Sequence, residues 1–209
     1  MIKICLTGGP CSGKTTALEH LVKLIESKGY ICLVCEEAAT SLINGGIKPY
    51  KDGLSMKDFQ RFVIKKQLAN EEILDALPPY VDNNKIVALY DRGFGDHTGY
   101  IGKKVFEELL MDTPLTIDTI YSRYDYVFFM VSAANGAVEY YQWNDPSKED
   151  TGNNAARYES PEEAADLDNR LYDAWKDHPQ FKVFDNSTDF KTKIKNVLKE
   201  TENILENQI

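Results

Sequence analysis

A glycine-rich turn near the start of the chain has the residue types and spacing of a phosphate-binding loop. Gly8 to Thr15 reads GGPCSGKT and matches G-x-x-x-x-G-K-[ST] at every fixed position. Glycines allow positive φ, so the N–H groups of such a turn converge into an anion site at a helix N-terminus. Lys14 adds a mobile charge for the β- and γ-phosphates, and the Thr15 hydroxyl can bind Mg²⁺. We therefore predict that ATP or GTP binds here with Mg²⁺. The predicted nucleotide-binding residues are Gly8, Gly9, Pro10, Cys11, Ser12, Gly13, Lys14, Thr15 and Thr16.

A second charged pair, Asp91 and Arg92, directly follows an apolar run at residues 85–90. Ligands of open α/β sheets bind at the carboxyl ends of the strands, so this pair should lie beside the glycine-rich turn. There Asp91 could hold Mg²⁺ together with Thr15, and Arg92 could bind a phosphate through two parallel hydrogen bonds. The alternative is an ordinary strand-end turn, with Asp91 capping the next helix and Arg92 in solvent.

Two glutamates, Glu36 and Glu37, follow the apolar run at residues 31–35. A carboxylate at this edge could orient or deprotonate the hydroxyl of a molecule that accepts a phosphoryl group. We assign this role to Glu36, because it is the first residue out of the strand. The alternative is that both glutamates simply stabilise the positive end of a helix dipole.

Residues 132–161 form a long polar connection, rich in Asn, Gly, Asp and Ser, with little periodicity. A connection of this length in a compact domain is usually disordered or a functional lid. We predict a mobile lid in which Arg157 brings positive charge to the transferred phosphoryl group while the closed lid excludes water.

The helix predicted over residues 55–77 carries Gln60 and Gln67 on one face, two turns apart. These amides could bind an acceptor molecule, but the pattern favours a solvated face. The three histidines show no metal-ligand spacing and are predicted to have ordinary roles. They are His20, His97 and His178.

Apolar runs alternate with segments of helical period, which indicates a parallel sheet covered by helices on both faces. The predicted strands cover residues 2–6, 31–35, 85–90, 126–131 and 181–184. The predicted helices cover residues 13–27, 38–43, 55–77, 96–111 and 117–123, and a last one begins near 187. Because no linker or repeat interrupts this rhythm, we predict a single domain over residues 1–209.

The amino-acid composition restricts the classes of protein to which this chain could belong. The 209 residues carry a formal net charge of −9 with no basic run, which argues against nucleic acid as a partner. No stretch of about 18 apolar residues or signal-peptide pattern occurs, so a cytoplasmic protein without a membrane span is expected. Cys32 and Cys35 are spaced like a metal or redox pair. Within a strand, however, they would point to opposite faces and act as core residues.

Several segments together resemble a known family. Residues 6–16, 36–39, 90–93 and 124–128 are similar to the AAA-type ATPase/kinase family of P-loop proteins. That family has nicotinamide riboside kinase-like and TRPL translocation defect protein-like members. The resemblance implies an α/β P-loop NTPase fold with a five-stranded parallel sheet in the order 2-3-1-4-5.

A more distant similarity is to deoxyribonucleoside and thymidylate kinases. It places Glu36 at the position of their catalytic base, and Asp91 and Arg92 at the position of their phosphate-binding pair. Asp96 approximates the position of an aspartate that contacts the base in the deoxynucleoside kinases.

Two functions fit these residues. The first is a Mg²⁺-dependent kinase that transfers the γ-phosphoryl group of ATP or GTP to a small nucleoside- or nucleotide-like acceptor. The second is a nucleotide-dependent binding or signalling protein that hydrolyses slowly and changes its affinity for a partner or lipid. A nucleic-acid motor is disfavoured by the length and acidity of the chain.

Overall fold

The computed structural model describes residues 1–49, 53–81, 85–141 and 159–207. Its strands form one parallel sheet in the order β2-β3-β1-β4-β5, which confirms the predicted fold class and strand order. The strands are β1 (Ile2–Thr7), β2 (Ile31–Cys35), β3 (Ile86–Asp91), β4 (Tyr126–Met130) and β5 (Phe181–Phe184). The helices are α1 (Lys14–Ser27), α2 (Ala38–Asn44), α3 (Met56–Ala76), α4 (Asp96–Ile101), α5 (Lys103–Leu110), α6 (Ile117–Tyr121), α7 (Pro161–Trp175) and α8 (Phe190–Glu206).

The sheet has an apolar core on each face, because successive side chains of a strand point to opposite sides. Ile4 and Leu6 of β1 pack with α1 and α8, whereas Cys5 packs on the other face with Trp175 of α7. The two central strands, β1 and β3, are thus covered on both sides. Their carboxyl ends, Thr7 and Asp91, lie at the same edge of the sheet.

Cys32 and Cys35 lie on opposite faces of β2, as predicted. Cys32 packs against the cluster beneath α1 and α8, and Cys35 belongs to the cluster on the other face. Burial raises the pKa of each thiol to about 12, so both remain protonated at neutral pH. These cysteines are core residues and not a metal or redox pair.

Two helix boundaries differ from the sequence predictions. The helix predicted over residues 96–111 is interrupted at Gly102, where φ is 78°, and forms α4 and α5. The last helix begins at Phe190, because the Asp189 side chain caps it by accepting a hydrogen bond from the Thr192 N–H. Phe190, the first residue of this helix, is 52% exposed.

The candidate lid is described only at its two ends. Residues 132–141 form a turn with a short 3₁₀ segment at Val138–Tyr140, and the Tyr141 side chain is buried. Residues 142–158, and with them the prediction for Arg157, lie outside the described residues. Within the described ranges, no helix combines the length and apolar character needed to cross a membrane.

Candidate functional site

The turn between β1 and α1 has the backbone conformation that the glycine pattern predicts. Gly8 and Gly13 have φ of 132° and 91°. A Cβ atom on Gly8 would lie 2.0 Å from the Met130 carbonyl oxygen, so only glycine fits there. Cys11 also has positive φ, at 54°, which is uncommon for a residue with a side chain. These angles aim the turn at a point in front of the N-terminus of α1, where N–H groups have no intrahelical partner.

The Lys14 ammonium group folds back over this turn. Its Nζ donates hydrogen bonds to the carbonyl oxygens of Gly8 and Gly9, at 2.9 and 3.3 Å, and to Ser12 Oγ at 3.2 Å. Burial, followed by repulsion from Arg92, lowers the pKa of Lys14 from 10.5 to about 8. The charged form of Lys14 is therefore poorly stabilised by the protein alone, and a phosphate anion would supply the missing stabilisation.

Nucleotide binding should therefore be coupled to proton uptake. At about pH 8.5 part of the Lys14 population is neutral, and bound phosphate would restore the ammonium form, so binding should take up a fraction of a proton. Titration calorimetry of Mg²⁺ and ATP in two buffers of different ionisation enthalpy measures this uptake. It should fall toward zero near pH 6.5, where Lys14 is already charged. Proton release, or binding heats that do not depend on the buffer at the higher pH, would contradict this coupling.

Arg92 connects the turn to the two neighbouring acidic residues. Its Nε donates to Glu37 Oε1 at 2.7 Å, and its Nη1 donates to Asp96 Oδ2 at 3.0 Å and to the Gly8 carbonyl at 3.2 Å. Arg92 has a φ of 75°, a left-handed backbone conformation that favours glycine. Strained non-glycine residues cluster at functional sites, where the surrounding structure holds them in place. In this conformation the Arg92 side chain lies against the phosphate-binding turn, where its hydrogen bonds to Glu37, Asp96 and the Gly8 carbonyl hold it.

The structure places Glu37, and not Glu36, against Arg92. Glu36 borders the cleft but is exposed, so the prediction that Glu36 is the inward-pointing glutamate is wrong. The physical reason is strand alternation, since Cys35 faces the core and Glu36 therefore turns outward. Burial acts to raise the pKa of Glu37, but Arg92 and Lys14 outweigh it and hold that pKa below its usual value. Glu37 thus stays ionised beside the phosphate-binding turn.

Asp91 has an unused ligand atom. Among the described residues, its Oδ1 is one of three buried side-chain atoms without a hydrogen-bond partner. Burial raises the pKa of Asp91, and the nearby Lys14 ammonium opposes that rise. A cation would satisfy both the orphaned oxygen and the buried charge. Thr15, the other predicted ligand, is exposed at the same cleft. Asp91 and Thr15 therefore fit a Mg²⁺ ion.

The local charge also favours a cation. Three carboxylates, those of Glu37, Asp91 and Asp96, act on two cations, Lys14 and Arg92, which leaves an excess of negative charge. Among the residues that the structure describes, no cluster of three His, Cys, Asp or Glu side chains could hold a metal by itself. This donor set suits Mg²⁺, which usually binds through one or two protein oxygens, with substrate phosphates and water completing the octahedron.

Asp96 has a structural role in place of the base contact that the distant similarity suggested. It is 2% exposed and accepts hydrogen bonds from Thr7 Oγ1 at 2.6 Å and from Trp175 Nε1 at 2.5 Å. With Arg92 as its third partner, the carboxylate is fully engaged. Asp96 therefore fixes the position of Arg92 relative to the end of β1.

Asp168 is a site residue that the sequence analysis missed. Its carboxylate accepts hydrogen bonds from the Gly9 N–H at 2.7 Å, the Ser132 N–H at 3.1 Å and Asn135 Nδ2 at 2.9 Å. It thereby ties α7 and the first residues of the candidate lid to the phosphate-binding turn. A signal was present in the sequence, because Asp168 lies in the apolar stripe of α7 beside Leu167 and Leu171. A carboxylate in such a stripe is buried and must have donors around it.

An open cleft of about 1740 Å³ extends from the phosphate-binding turn across Glu37, Asp91 and Arg92. It brings together most of the predicted site residues. Those that line it are Pro10, Cys11, Ser12, Gly13, Lys14, Thr15, Thr16, Glu36, Asp91 and Arg92. Beyond Arg92 the cleft is bounded by α3 and α4. There Gln60 and Gln67 are buried, so the expectation of a solvated face is wrong.

The comparison with protein families agrees with this geometry. A family model described as an AAA domain matches residues 3–193. The chain belongs to this family. The AAA domain is a P-loop nucleotide-binding domain, which confirms the family resemblance and agrees with the shape of the turn from Gly8 to Thr15.

A relative from yeast is also similar over part of the chain. Protein KTI12 of Saccharomyces cerevisiae is 34% identical over 98 residues, which cover 44% of this chain and 29% of KTI12. The chain thus spans less than a third of the length of this relative. Within this AAA domain, the predicted residues Lys14, Thr15, Asp91 and Arg92 lie around one cleft. Both glutamates border that cleft, and Glu37 is the one that pairs with Arg92.

Proposed function

We propose that this AAA domain is a phosphotransferase that transfers the γ-phosphoryl group of ATP or GTP, with Mg²⁺, to a small nucleoside- or nucleotide-like acceptor. The observation that carries this proposal is the extent of the cleft. Its volume of about 1740 Å³ exceeds the roughly 300–1,000 Å³ of a typical single-ligand site. A second molecule therefore has room next to Glu37 and Arg92, on the side away from α1. Such a reaction would take place in the cytoplasm, where ATP and GTP are abundant.

The chain's own residues would act mainly through position and charge, as in phosphoryl transfer generally. N–H groups of the turn and the Lys14 ammonium hold the β- and γ-phosphates, and Arg92 stabilises charge on the transferred group. Asp91 and Thr15 would hold Mg²⁺, which would supply positive charge to the phosphates. The lid over residues 132–161, with Arg157, would close over the single domain and exclude water.

Glu37 would orient the acceptor hydroxyl. Its Oε1 is engaged by Arg92 and its Oε2 by the Thr40 hydroxyl at 2.8 Å, so the carboxylate is held in one position at the cleft wall. A carboxylate whose pKa is lowered is a weak base in the ground state. It can still accept a hydrogen bond from the hydroxyl and take its proton late, once the hydroxyl oxygen bonds to phosphorus.

A specific observation supports the second function, a slow NTPase that switches its affinity for a partner or lipid. Among the described residues that line the cleft, Arg92 is the only arginine, and two carboxylates already neutralise it. Less positive charge is then available for the transferred group, which favours slow hydrolysis.

Acceptor-dependent release of ADP or GDP tests the proposal, with the neighbouring glutamates as a matched pair. Glu37→Gln should lower acceptor-dependent turnover by about 10²-fold while nucleotide affinity changes little, because the carboxylate acts on the acceptor. Glu36→Gln should keep an acceptor-dependent turnover rate close to that of the unmodified protein. The assay covers nucleosides, nucleotides and sugars with each triphosphate. Hydrolysis unaffected by every acceptor, combined with nucleotide-dependent partner binding, would favour the switch instead.

A further inference from the structure

The peptide group between Gly8 and Gly9 has hydrogen-bond partners on both sides. Its carbonyl oxygen accepts from Lys14 Nζ at 2.9 Å and from Arg92 Nη1 at 3.2 Å, so it contacts both cations of the site. Its N–H donates to Asp168 Oδ1 at 2.7 Å. In a trans peptide the C=O and N–H bonds point in opposite directions. By binding the N–H, the Asp168 carboxylate therefore directs the carbonyl oxygen toward the two cations.

This peptide group needs a restraint from outside the turn. Gly8 and Gly9 lack the Cβ atoms that would hinder rotation of the peptide group between them. Gly9 occupies a variable position of G-x-x-x-x-G-K-[ST], so phosphate binding does not explain a glycine there. A Cβ atom on Gly9 would lie 2.9 Å from Asp168 Oδ1 and 3.1 Å from Ser132 Cβ. A glycine at position 9 thus lets the carboxylate approach the backbone, and the same glycine makes the peptide group free to turn once the carboxylate is removed.

The second oxygen of Asp168 is held independently of the phosphate-binding turn. Asp168 Oδ2 accepts hydrogen bonds from the Ser132 N–H at 3.1 Å and from Asn135 Nδ2 at 2.9 Å. Asn186 Nδ2 donates to the backbone carbonyl oxygens of these two residues, at 2.7 Å each, and Asn186 Oδ1 accepts from Lys193 Nζ at 3.0 Å. Because an ammonium group only donates, this last contact fixes the orientation of the Asn186 amide. The donors to Asp168 Oδ2 are therefore fixed in position, and so is the carboxylate.

Only a carboxylate satisfies this arrangement, because both side-chain oxygens of Asp168 accept hydrogen bonds. An asparagine has one oxygen, and its NH₂ group would face a donor on the other side. The Oδ2 side has two donors, Ser132 and Asn135, whereas the Oδ1 side has only Gly9. An asparagine should therefore give its oxygen to the side with two donors. Its NH₂ group would then repel the Gly9 N–H and turn that peptide group away.

We propose that Asp168 is a positioning residue for nucleotide binding, which holds the Gly8–Gly9 peptide group so that its carbonyl oxygen orients Lys14 and Arg92 toward the bound phosphates. Asp168 is 1% exposed and does not line the cleft in the described part of the chain, so it acts through the peptide group and not on the nucleotide. This inference concerns nucleotide binding, and its outcome is independent of the acceptor reaction proposed above.

The NMR signal of this peptide group tests the proposal in the whole protein. With glycine labelled by ¹³C at the carbonyl and by ¹⁵N, only a glycine that follows another glycine gives a coupled carbonyl–amide signal, and these are Gly9 and Gly46. The Gly9 amide proton should lie downfield of that of Gly46, because a hydrogen bond to a carboxylate is stronger than one to a carbonyl oxygen, here that of Ile43. A Gly9 proton no further downfield than that of Gly46 would overturn the proposal, whether or not a variant of Asp168 folds.

The same signal in Asp168→Asn reports both ends of the peptide group. The Gly9 amide proton should move upfield as it loses the carboxylate. The Gly8 carbonyl ¹³C should also move upfield, because its hydrogen bonds to Lys14 and Arg92 weaken when the peptide group turns. A Gly8 carbonyl signal that stays in place while the Gly9 proton moves would show that Asp168 does not orient the carbonyl, and the proposal would be wrong.

Titration calorimetry with Mg²⁺ and ATP measures the consequence for the site. Asp168→Asn should lower the affinity by about ten-fold, the effect expected when hydrogen bonds to charged groups are lost. Asn135→Ala removes a donor to Asp168 Oδ2 but leaves the Gly9 contact, so its affinity should stay close to that of the unmodified protein. Asp173→Asn is the control on α7, because Asp173 is exposed and pairs with Lys176. An unchanged affinity in Asp168→Asn, or an equal loss in Asn135→Ala, would overturn the role assigned to the Gly9 contact.

Discussion

Replacing Lys14 with methionine is expected to reduce nucleotide-dependent turnover by about 10²–10³-fold, because it removes a preorganised charge on the transferred phosphate. The structure adds a second expectation, about folding. Burial lowers the pKa of Lys14 to about 8, so the folded protein stabilises the ammonium less than the unfolded chain does. Below that pKa, Lys14→Met should therefore unfold at the same temperature as the unmodified protein or at a higher one.

The two measurements separate function from folding. In Lys14→Met, the steady-state turnover rate and the nucleotide affinity measured by calorimetry should both fall. The unfolding temperature without nucleotide should not fall. Lys23→Met is the matched control, since Lys23 is exposed on the same helix α1. Lys23→Met should leave turnover, nucleotide affinity and the unfolding temperature unchanged. An unchanged affinity for Mg²⁺ and ATP in Lys14→Met would show that the turn from Gly8 to Thr15 is not the nucleotide site.

Replacing Arg123 with methionine is expected to lower the free energy of unfolding by about 3–5 kcal/mol, because it leaves a buried carboxylate unpaired. The Glu71 side chain is 2% exposed and lies 2.7 Å from Arg123 Nε. Arg61→Met is the control, because Arg61 pairs with the half-exposed Asp112 on the surface. Such an exposed pair contributes only about 0–1 kcal/mol. Urea denaturation of both variants measures the difference.

The pH dependence of the stability lost in Arg123→Met tests whether the unpaired Glu71 carboxylate is the cause of that loss. Burial already raises the pKa of Glu71 in the folded protein, and loss of the Arg123 charge raises it further. A carboxyl group with a raised folded pKa destabilises the fold above that pKa, and the penalty disappears as the group is protonated. The stability gap between Arg123→Met and the unmodified protein should therefore narrow as the pH falls through the raised pKa. A gap that does not change with pH would instead indicate lost packing against Phe94, which Arg123 overlies at 5.2 Å.

Local features of the fold and the site could be predicted from the order of the amino acids. The turn from Gly8 to Thr15 could be predicted because consecutive residues form it, and its glycines meet backbone requirements that other side chains cannot meet. Strand β3 was the clearest of the five in the sequence, because a strand covered on both faces is a continuous apolar run. Placing Asp91 and Arg92 beside the turn needed only one further rule, that the carboxyl ends of parallel strands share an edge.

Contacts between side chains that are far apart in the chain depend on the packing of the helices against the sheet, and they could not be predicted. Glu37 takes the place of Glu36 because the exit from β2 turns one glutamate toward Arg92 and the other toward solvent. Gln60 and Gln67 are buried because α4 lies against α3 and His97 occupies the space between them. Asp168 meets Gly9 across 159 residues of chain. These contacts depend on how whole helices pack, and no local spacing in the sequence encodes that packing.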